Sequence, residues 1–194
     1  MQPKVTFESW QLKSDLQYGI YAHGVEYPSE IQQQLIPQIL AGKNVICHNN
    51  CGTGKTTALA IAALQQIDEN INDVQIIIIT QHKELVCSTN AVVTSIGQRM
   101  HLKSQNTEKL QKLNITVGTP ISILNMLTKD INICNDIKTI MIDDIDEILE
   151  RGFNQQLDQI MSSVPKSTQL VLVCKNMSEA ILKKVIDPVI VEQK

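Results

Sequence analysis

The sequence predicts an α/β domain in which a mostly parallel sheet carries helices on both faces. Three observations point there. Short apolar segments of strand length alternate with longer segments of helical pattern, the arrangement of a parallel sheet covered on both sides. The chemically conspicuous residues fall just after strands, where ligands bind in such sheets. The chain has 194 residues, 43% of them hydrophobic, which is enough for one domain with a full core.

Asn44 to Cys47 reads as a strand and Lys55 to Ile67 as the helix after it. Val74 to Ile79 is a strand, and Lys83 to Met100 is helical. Ile115 and Val117 lie in a short strand ahead of Gly118-Thr119-Pro120. Lys138 to Ile142 and Gln169 to Val173 are further strands. Earlier in the chain, Pro28-Ser29 begins a helix, and Trp10 is expected to pack from a first amphipathic helix. No internal repeat, low-complexity tract or Gly/Ser linker interrupts the pattern. Residues 1–194 are therefore expected to form a single domain, with N-terminal helices over 1–40 and an α/β core over 41–194.

Composition narrows the function classes. No apolar run approaches the roughly 20 residues needed to cross a bilayer, and Met1 to Trp10 lacks the pattern of a secretory signal. Five cysteines are scattered without a CxxC pair, which suits reduced thiols in a cytoplasmic or nuclear protein. Cys47 and Cys87 read as small core residues. Net charge is -3 and only Arg99 and Arg151 are arginines, so the chain has no general basic footprint for nucleic acid. Any RNA must be held by a local site.

The strand Asn44 to Cys47 leads into Asn49-Asn50-Cys51-Gly52-Thr53-Gly54-Lys55-Thr56, which then opens a helix. Glycines let backbone N–H groups turn toward an anion, and the helix N-terminus adds its positive end. In such a loop Lys55 reaches the β- and γ-phosphates and the Thr56 hydroxyl binds Mg²⁺. Asn49 stands where the pattern wants glycine, and asparagine tolerates left-handed geometry better than most residues. The bland alternative is a glycine-rich turn, but strand, loop and helix occur in the required order.

Downstream, a hydrophobic strand ends in Asp143-Asp144-Ile145-Asp146-Glu147. A carboxylate at the end of a buried strand holds Mg²⁺ in phosphate-loop enzymes, and Asp143 is that candidate. The next acid, Asp144, is the candidate to orient or deprotonate an attacking water. Acids also favour the first turn of a helix, here Ile145 to Glu150. The phosphate loop upstream favours the functional reading.

Taken in order, Gln32, the phosphate loop, Lys83-Glu84-Leu85, Thr119-Pro120, Asp143-Asp144-Ile145-Asp146 and Val173-Cys174-Lys175-Asn176-Met177 resemble the first RecA-like domain of DEAD-box RNA helicases. Gly19-Ile20-Tyr21-Ala22-His23-Gly24, then Pro28-Ser29-Glu30-Ile31-Gln32-Gln33, and Arg151-Gly152-Phe153 are similar to initiation factor 4A and its nuclear relatives. The resemblance implies a RecA-like fold that binds ATP and Mg²⁺. It makes Gln32 the reader of the adenine edge, Phe7 an aromatic stacked on adenine, and Cys51, Gly52, Thr53, Gly54, Lys55 and Thr56 the phosphate cradle. It makes Asp143 and Thr56 the Mg²⁺ ligands, and Asp144 with Lys55 the catalytic pair. Lys83, Thr119 and Pro120 become RNA contacts, and Asp146, Cys174 and Asn176 the residues that couple hydrolysis to strand separation. Implied partners are RNA and a HEAT-repeat scaffold of the initiation-factor-4G type, bound by a monomer.

Departures from the family pattern cluster in its working parts. Asp144 replaces the catalytic glutamate and sets its carboxylate on the order of 1 Å back, a displacement able to cost about 100-fold in rate. Cys174-Lys175-Asn176 replaces Ser-Ala-Thr, removing two hydroxyls. Lys175 is expected to pair with Asp146 or Asp144 and lock the site. Lys83 stands for an arginine and lacks its bidentate fork, while Ile121 and Ser122 replace glycine and arginine. The Gly-Gly turn is missing from His101 to Lys112, where a strand is expected to be shortened or absent. Weak RNA binding and weak or lost catalysis follow. The family's second domain, which supplies arginine fingers and half of each site, is absent from these 194 residues.

Overall fold

A computed structural model describes residues 5–48, 52–71, 73–100 and 114–192. It contains one sheet of six strands: β1 (Val45–His48), β2 (Ile76–Ile79), β3 (Ile115–Gly118), β4 (Thr139–Ile142), β5 (Gln169–Cys174) and β6 (Val189–Glu192). Their spatial order is β3-β2-β4-β5-β1-β6, and every neighbouring pair is parallel. The fold is the expected RecA-like α/β class.

The four isoleucines of β2 are all buried because the sheet is covered on both sides. Ile76 and Ile78 join a core with Leu16 and Ile20 of α1 (Ser14–Ala22), Leu35 of α2 (Glu30–Leu40), Leu59 of α3 (Lys55–Gln66) and Val93 of α4 (Lys83–Ile96). Ile77 and Ile79 point the other way. There they meet α5 (Pro120–Lys129), α6 (Ile145–Glu150), α7 (Asn154–Ser163) and α8 (Glu179–Leu182).

Several boundaries differ from expectation for visible reasons. Helix α4 stops at Ile96 because Gly97 follows, its N–H closing back on the Val93 carbonyl at 2.8 Å. Trp10 sits in a 3₁₀ turn, Phe7–Trp10, that ends on Gln11 in left-handed conformation, so the first α-helix begins only at Ser14. Cys47 is buried as expected, but Cys87 is exposed on the outer face of α4. The segment from His101 to Lys112, where a strand is expected to be shortened or absent, lies outside the described residues. Strand β6 is an additional short edge strand beside β1. Among the described residues no helix is long and apolar enough to cross a membrane.

Candidate functional site

The sheet order decides what meets at the carboxyl ends of the strands. Strand β5 lies between β1, which feeds the phosphate loop, and β4, which feeds the acidic motif. The residues after β5 therefore emerge between the two.

Gly52 and Gly54 hold φ of 78° and 89°, backbone that side chains disfavour. At Gly54 space is short as well: a Cβ would lie 2.6 Å from Gln32 Nε2. Cys51, expected in the cradle, lies outside the described residues. Lys55 begins α3 and is buried. The Thr56 hydroxyl donates to Asp143 Oδ2 at 2.8 Å, joining α3 to the end of β4. Burial pushes the Asp143 carboxyl above its ordinary pKa, and the neighbouring Asp144 charge pushes the same way. Thr56 and Lys55 oppose both effects. Lys55, Thr56, Asp143 and Asp144 line a cleft of about 310 Å³ whose far wall is Leu85 and Thr89 of α4.

Gln32 ties the N-terminal helices to this loop. Its Oε1 accepts from the Ser29 N–H at 2.9 Å, forming a capping box at the start of α2. Its Nε2 donates to the Gly54 carbonyl at 3.1 Å, and the Ser29 hydroxyl donates to the Thr53 carbonyl at 2.9 Å. These bonds use half of the amide's hydrogen-bonding capacity. Phe7 departs from expectation. Its ring has no exposed surface and meets Trp10 and Tyr21 edge-on, with centroids 5.5 and 6.2 Å away. A ring enclosed in this way has no open face to offer a base, so Phe7 is a core residue in this structure.

Asp144 occupies left-handed backbone, φ 52° and ψ 51°, at the start of α6. Aspartate enters that region more readily than glutamate, since its short polar side chain bonds locally. The Lys175 ammonium lies 3.6 Å from Asp144 Oδ2 and also pairs with Glu147 Oε1. Lys175, ahead of a bond from Gln81, holds the Glu147 carboxyl below its ordinary pKa. Sequence reasoning missed Glu147. Its signal was spacing: residues three apart share one face of a helix, so a cation reaching Asp144 also reaches Glu147.

Asp146 is buried and Oδ2 accepts the backbone N–H groups of Lys175 at 3.1 Å and Asn176 at 2.8 Å. Its Oδ1 is buried without a hydrogen-bond partner. The Cys174 thiol is also fully buried, and burial followed by the Asp146 charge pushes its pKa up to about 11. A serine at this position would offer the missing donor. Cys174→Ser is expected to raise the unfolding free energy by about 1 kcal/mol, read from denaturant midpoints. A loss of stability would show that the orphaned oxygen is not reached.

The candidate RNA contacts lie further along the same edge. Lys83 is exposed at the start of α4. Thr119 caps α5, accepting the Ser122 N–H at 3.4 Å, while Pro120 is buried as the first residue of that helix. Strands β2 and β3 are neighbours, and the Thr80 N–H bonds the Gly118 carbonyl at 3.0 Å, so both segments sit at one end of the sheet. Ile121 is half exposed beside them.

A family model described as DEAD/DEAH box helicase matches residues 29–178. FAL1 of Kluyveromyces lactis, named an ATP-dependent RNA helicase, is 34% identical over 196 residues, covering 94% of this chain and 49% of that protein. The ATP-dependent RNA helicase eIF4A of Neosartorya fischeri is 35% identical over 189 residues, covering 92% and 48%. This chain thus spans about half the length of those relatives. Among solved structures, Saccharomyces cerevisiae Dbp5 bound to RNA and ADP BeF3 superposes with a TM-score of 0.87 at 26% identity, covering 97% of this chain and 52% of that one. A DEAD box protein from Methanococcus jannaschii gives 0.86 at 26%, covering 97% and 56%. With the motifs in family order along the strand ends, and with these likenesses spanning nearly the whole chain, the protein belongs to the DEAD/DEAH box helicase family and has its RecA-like fold.

Proposed function

We propose that this chain is a nucleotide-binding domain whose ATP hydrolysis and unwinding are weak or lost, acting as a degenerate initiation-factor-4A-like binding module. One observation carries the reading: Thr56 and Asp143 stand 2.8 Å apart beside buried Lys55, while Asp144 is held by Lys175. The binding half of the site is thus assembled, and the water-activating half is tied to a cation.

The donor set suits Mg²⁺, a hard cation that takes oxygen ligands. A hydroxyl and a carboxylate meet there, and the carboxylate's burial next to Asp144 makes a nearby positive charge favourable. When bound, Mg²⁺ would neutralise charge on the β- and γ-phosphates. Lys55 would bind the same phosphates, and the N–H groups around Gly52 and Gly54 would orient them. Gln32 would meet the adenine edge with its spare amide valences while bracing Gly54.

Lys83 without a guanidinium fork, and Ile121 beside Thr119, give RNA a weak hold on the strand-end edge. Protein contacts then carry the function, and a HEAT-repeat scaffold of the initiation-factor-4G type is the partner proposed. A second reading has support in chain length. The matched relatives are about twice as long and are named ATP-dependent RNA helicases, so this could be the first half of an active enzyme.

Calorimetry with ADP and with ATP, each with Mg²⁺, tests the binding reading. The chain is expected to bind both, and Lys55→Ala to weaken binding by about 10- to 100-fold, the worth of a charge-assisted hydrogen bond. No heat up to millimolar nucleotide would make the cleft a relic. Rapid RNA-stimulated turnover once a second domain is supplied would favour the active reading.

A further inference from the structure

Lys175 lines one cleft of this domain and pairs with a carboxylate that lines another. Asp144 lines the cleft beside the phosphate loop. Glu147 and Lys175 line a second cleft, of about 460 Å³, with Asp146, Glu150, Arg151 and Asn176. The Lys175 ammonium lies 3.6 Å from Asp144 of the first cleft and in direct contact with Glu147 of the second. Glu147 is gripped from its other side by the Gln81 amide, which precedes Lys83 at the end of β2. Side chains of Lys175, Asp144 and Glu147 are 27%, 19% and 33% exposed, so water screens the cluster only in part.

We propose that Lys175 is a positioning residue whose ammonium is placed between Asp144 and Glu147, and so holds the Asp144 carboxylate toward α6. The proposal rests on the nucleotide reading above and assigns the control of that site. Its physical content is a competition between two carboxylates for one ammonium. An ammonium drawn toward Glu147 stands farther from Asp144 and attracts it less. With Lys175 3.6 Å from Asp144, the negative charge beside Asp143 is offset in part, and the cleft draws a divalent cation less strongly. Because Gln81 steadies Glu147, the balance is set from the same edge that carries Lys83.

Competition makes the two flanking substitutions act in opposite directions. Lys175→Met leaves Asp144 as an open negative charge next to Asp143. Glu147→Gln removes the Glu147 charge that draws Lys175 away from Asp144. The readout is the Mg²⁺ dependence of ADP binding: the dissociation constant in chelator divided by that in Mg²⁺, from calorimetry. Lys175→Met is expected to raise this ratio about tenfold and Glu147→Gln to lower it about threefold, within the range of coupled charged neighbours. Lys175→Arg should keep the parent ratio. A residue that merely supported the fold would make both variants lose binding together.

A second measurement is independent of nucleotide. In a cycle of Lys175→Met, Asp144→Asn and the double variant, unfolding equilibrium constants should depart from additivity by about fivefold. An additive cycle, or ratios that move the same way in Lys175→Met and Glu147→Gln, overturns the proposal. Absence of ADP binding in every variant brings down the nucleotide reading first and this role with it. Binding by the parent chain with parallel shifts brings down this role alone.

Discussion

Replacing Asp143 with asparagine is expected to make the nucleotide-free domain more stable and to abolish its response to Mg²⁺. The Asp143 carboxyl is held above its ordinary pKa, first by burial and then by Asp144. A raised carboxyl pKa means that folding disfavours the ionised form. The stability involved is fully present below the ordinary value of 3.8 and is lost as pH rises through the raised value. Above the ordinary value the folded chain thus bears the cost of a partly buried carboxyl whose ionised form folding disfavours. Asparagine has nearly the same shape, carries no charge, and can still accept the Thr56 hydroxyl through its own Oδ1. The gain should be roughly 1–3 kcal/mol at pH 7. It should shrink as pH falls and vanish where Asp143 is protonated in both folded and unfolded chains. Thermal unfolding at pH 7 and below pH 3.8 reads the first effect. Calorimetry with ADP, with and without Mg²⁺, reads the second. A variant less stable than the parent at pH 7 would show that the buried charge is not what destabilises the apo domain. Such a trade, stability given up for a cation, would explain why a carboxylate stands where burial disfavours it.

The parts of this domain that could be read from sequence are those whose chemistry is contiguous. Gly52 to Thr56 is a loop and a helix start in a single run, and Asp143 follows its strand directly, so each is legible without knowing the sheet order. The strand cores of β4 and β5 are likewise set by unbroken aliphatic segments. The rest depends on which strands become neighbours. Lys175 was expected near the acidic residues, but its bridge from Asp144 to Glu147, and the Gln81 contact beyond, exist only because β5 lies beside β4 and β4 beside β2. Phe7 shows a different limit. Spacing from Gln32 locates it along the chain, but its burial is decided by Trp10 and Tyr21 closing over it. Strand β6 was missed because four residues, one of them an exposed isoleucine, carry little periodic signal before they find an edge to join.

Among the described glycines, Gly19→Ala is expected to be the most damaging alanine substitution. A Cβ at Gly19 would lie 1.7 Å from the Ile96 carbonyl oxygen and 2.7 Å from its carbonyl carbon. Both are backbone atoms at the end of α4, so no rotamer change can relieve the clash; α1 and α4 must move apart. Leu16 and Ile20 of α1 and Val93 and Ile96 of α4 are buried in the same core, and separation would open it. Alanine recovers about 1 kcal/mol of helix propensity over glycine. The steric term should exceed this, leaving a net loss of about 3 kcal/mol or more in denaturant unfolding. Gly24→Ala is the control. Its φ is 87° but nothing lies within 4 Å of its Cβ, so it should cost only about 1 kcal/mol. Equal losses at the two glycines would mean that backbone conformation, and not helix contact, selects Gly19. Because Leu85 and Thr89 of α4 line the cleft proposed to bind nucleotide, Gly19→Ala should also weaken ADP binding in whatever fraction still folds. That links a glycine in the first helix, remote in sequence from the phosphate loop, to the site through a single carbonyl oxygen.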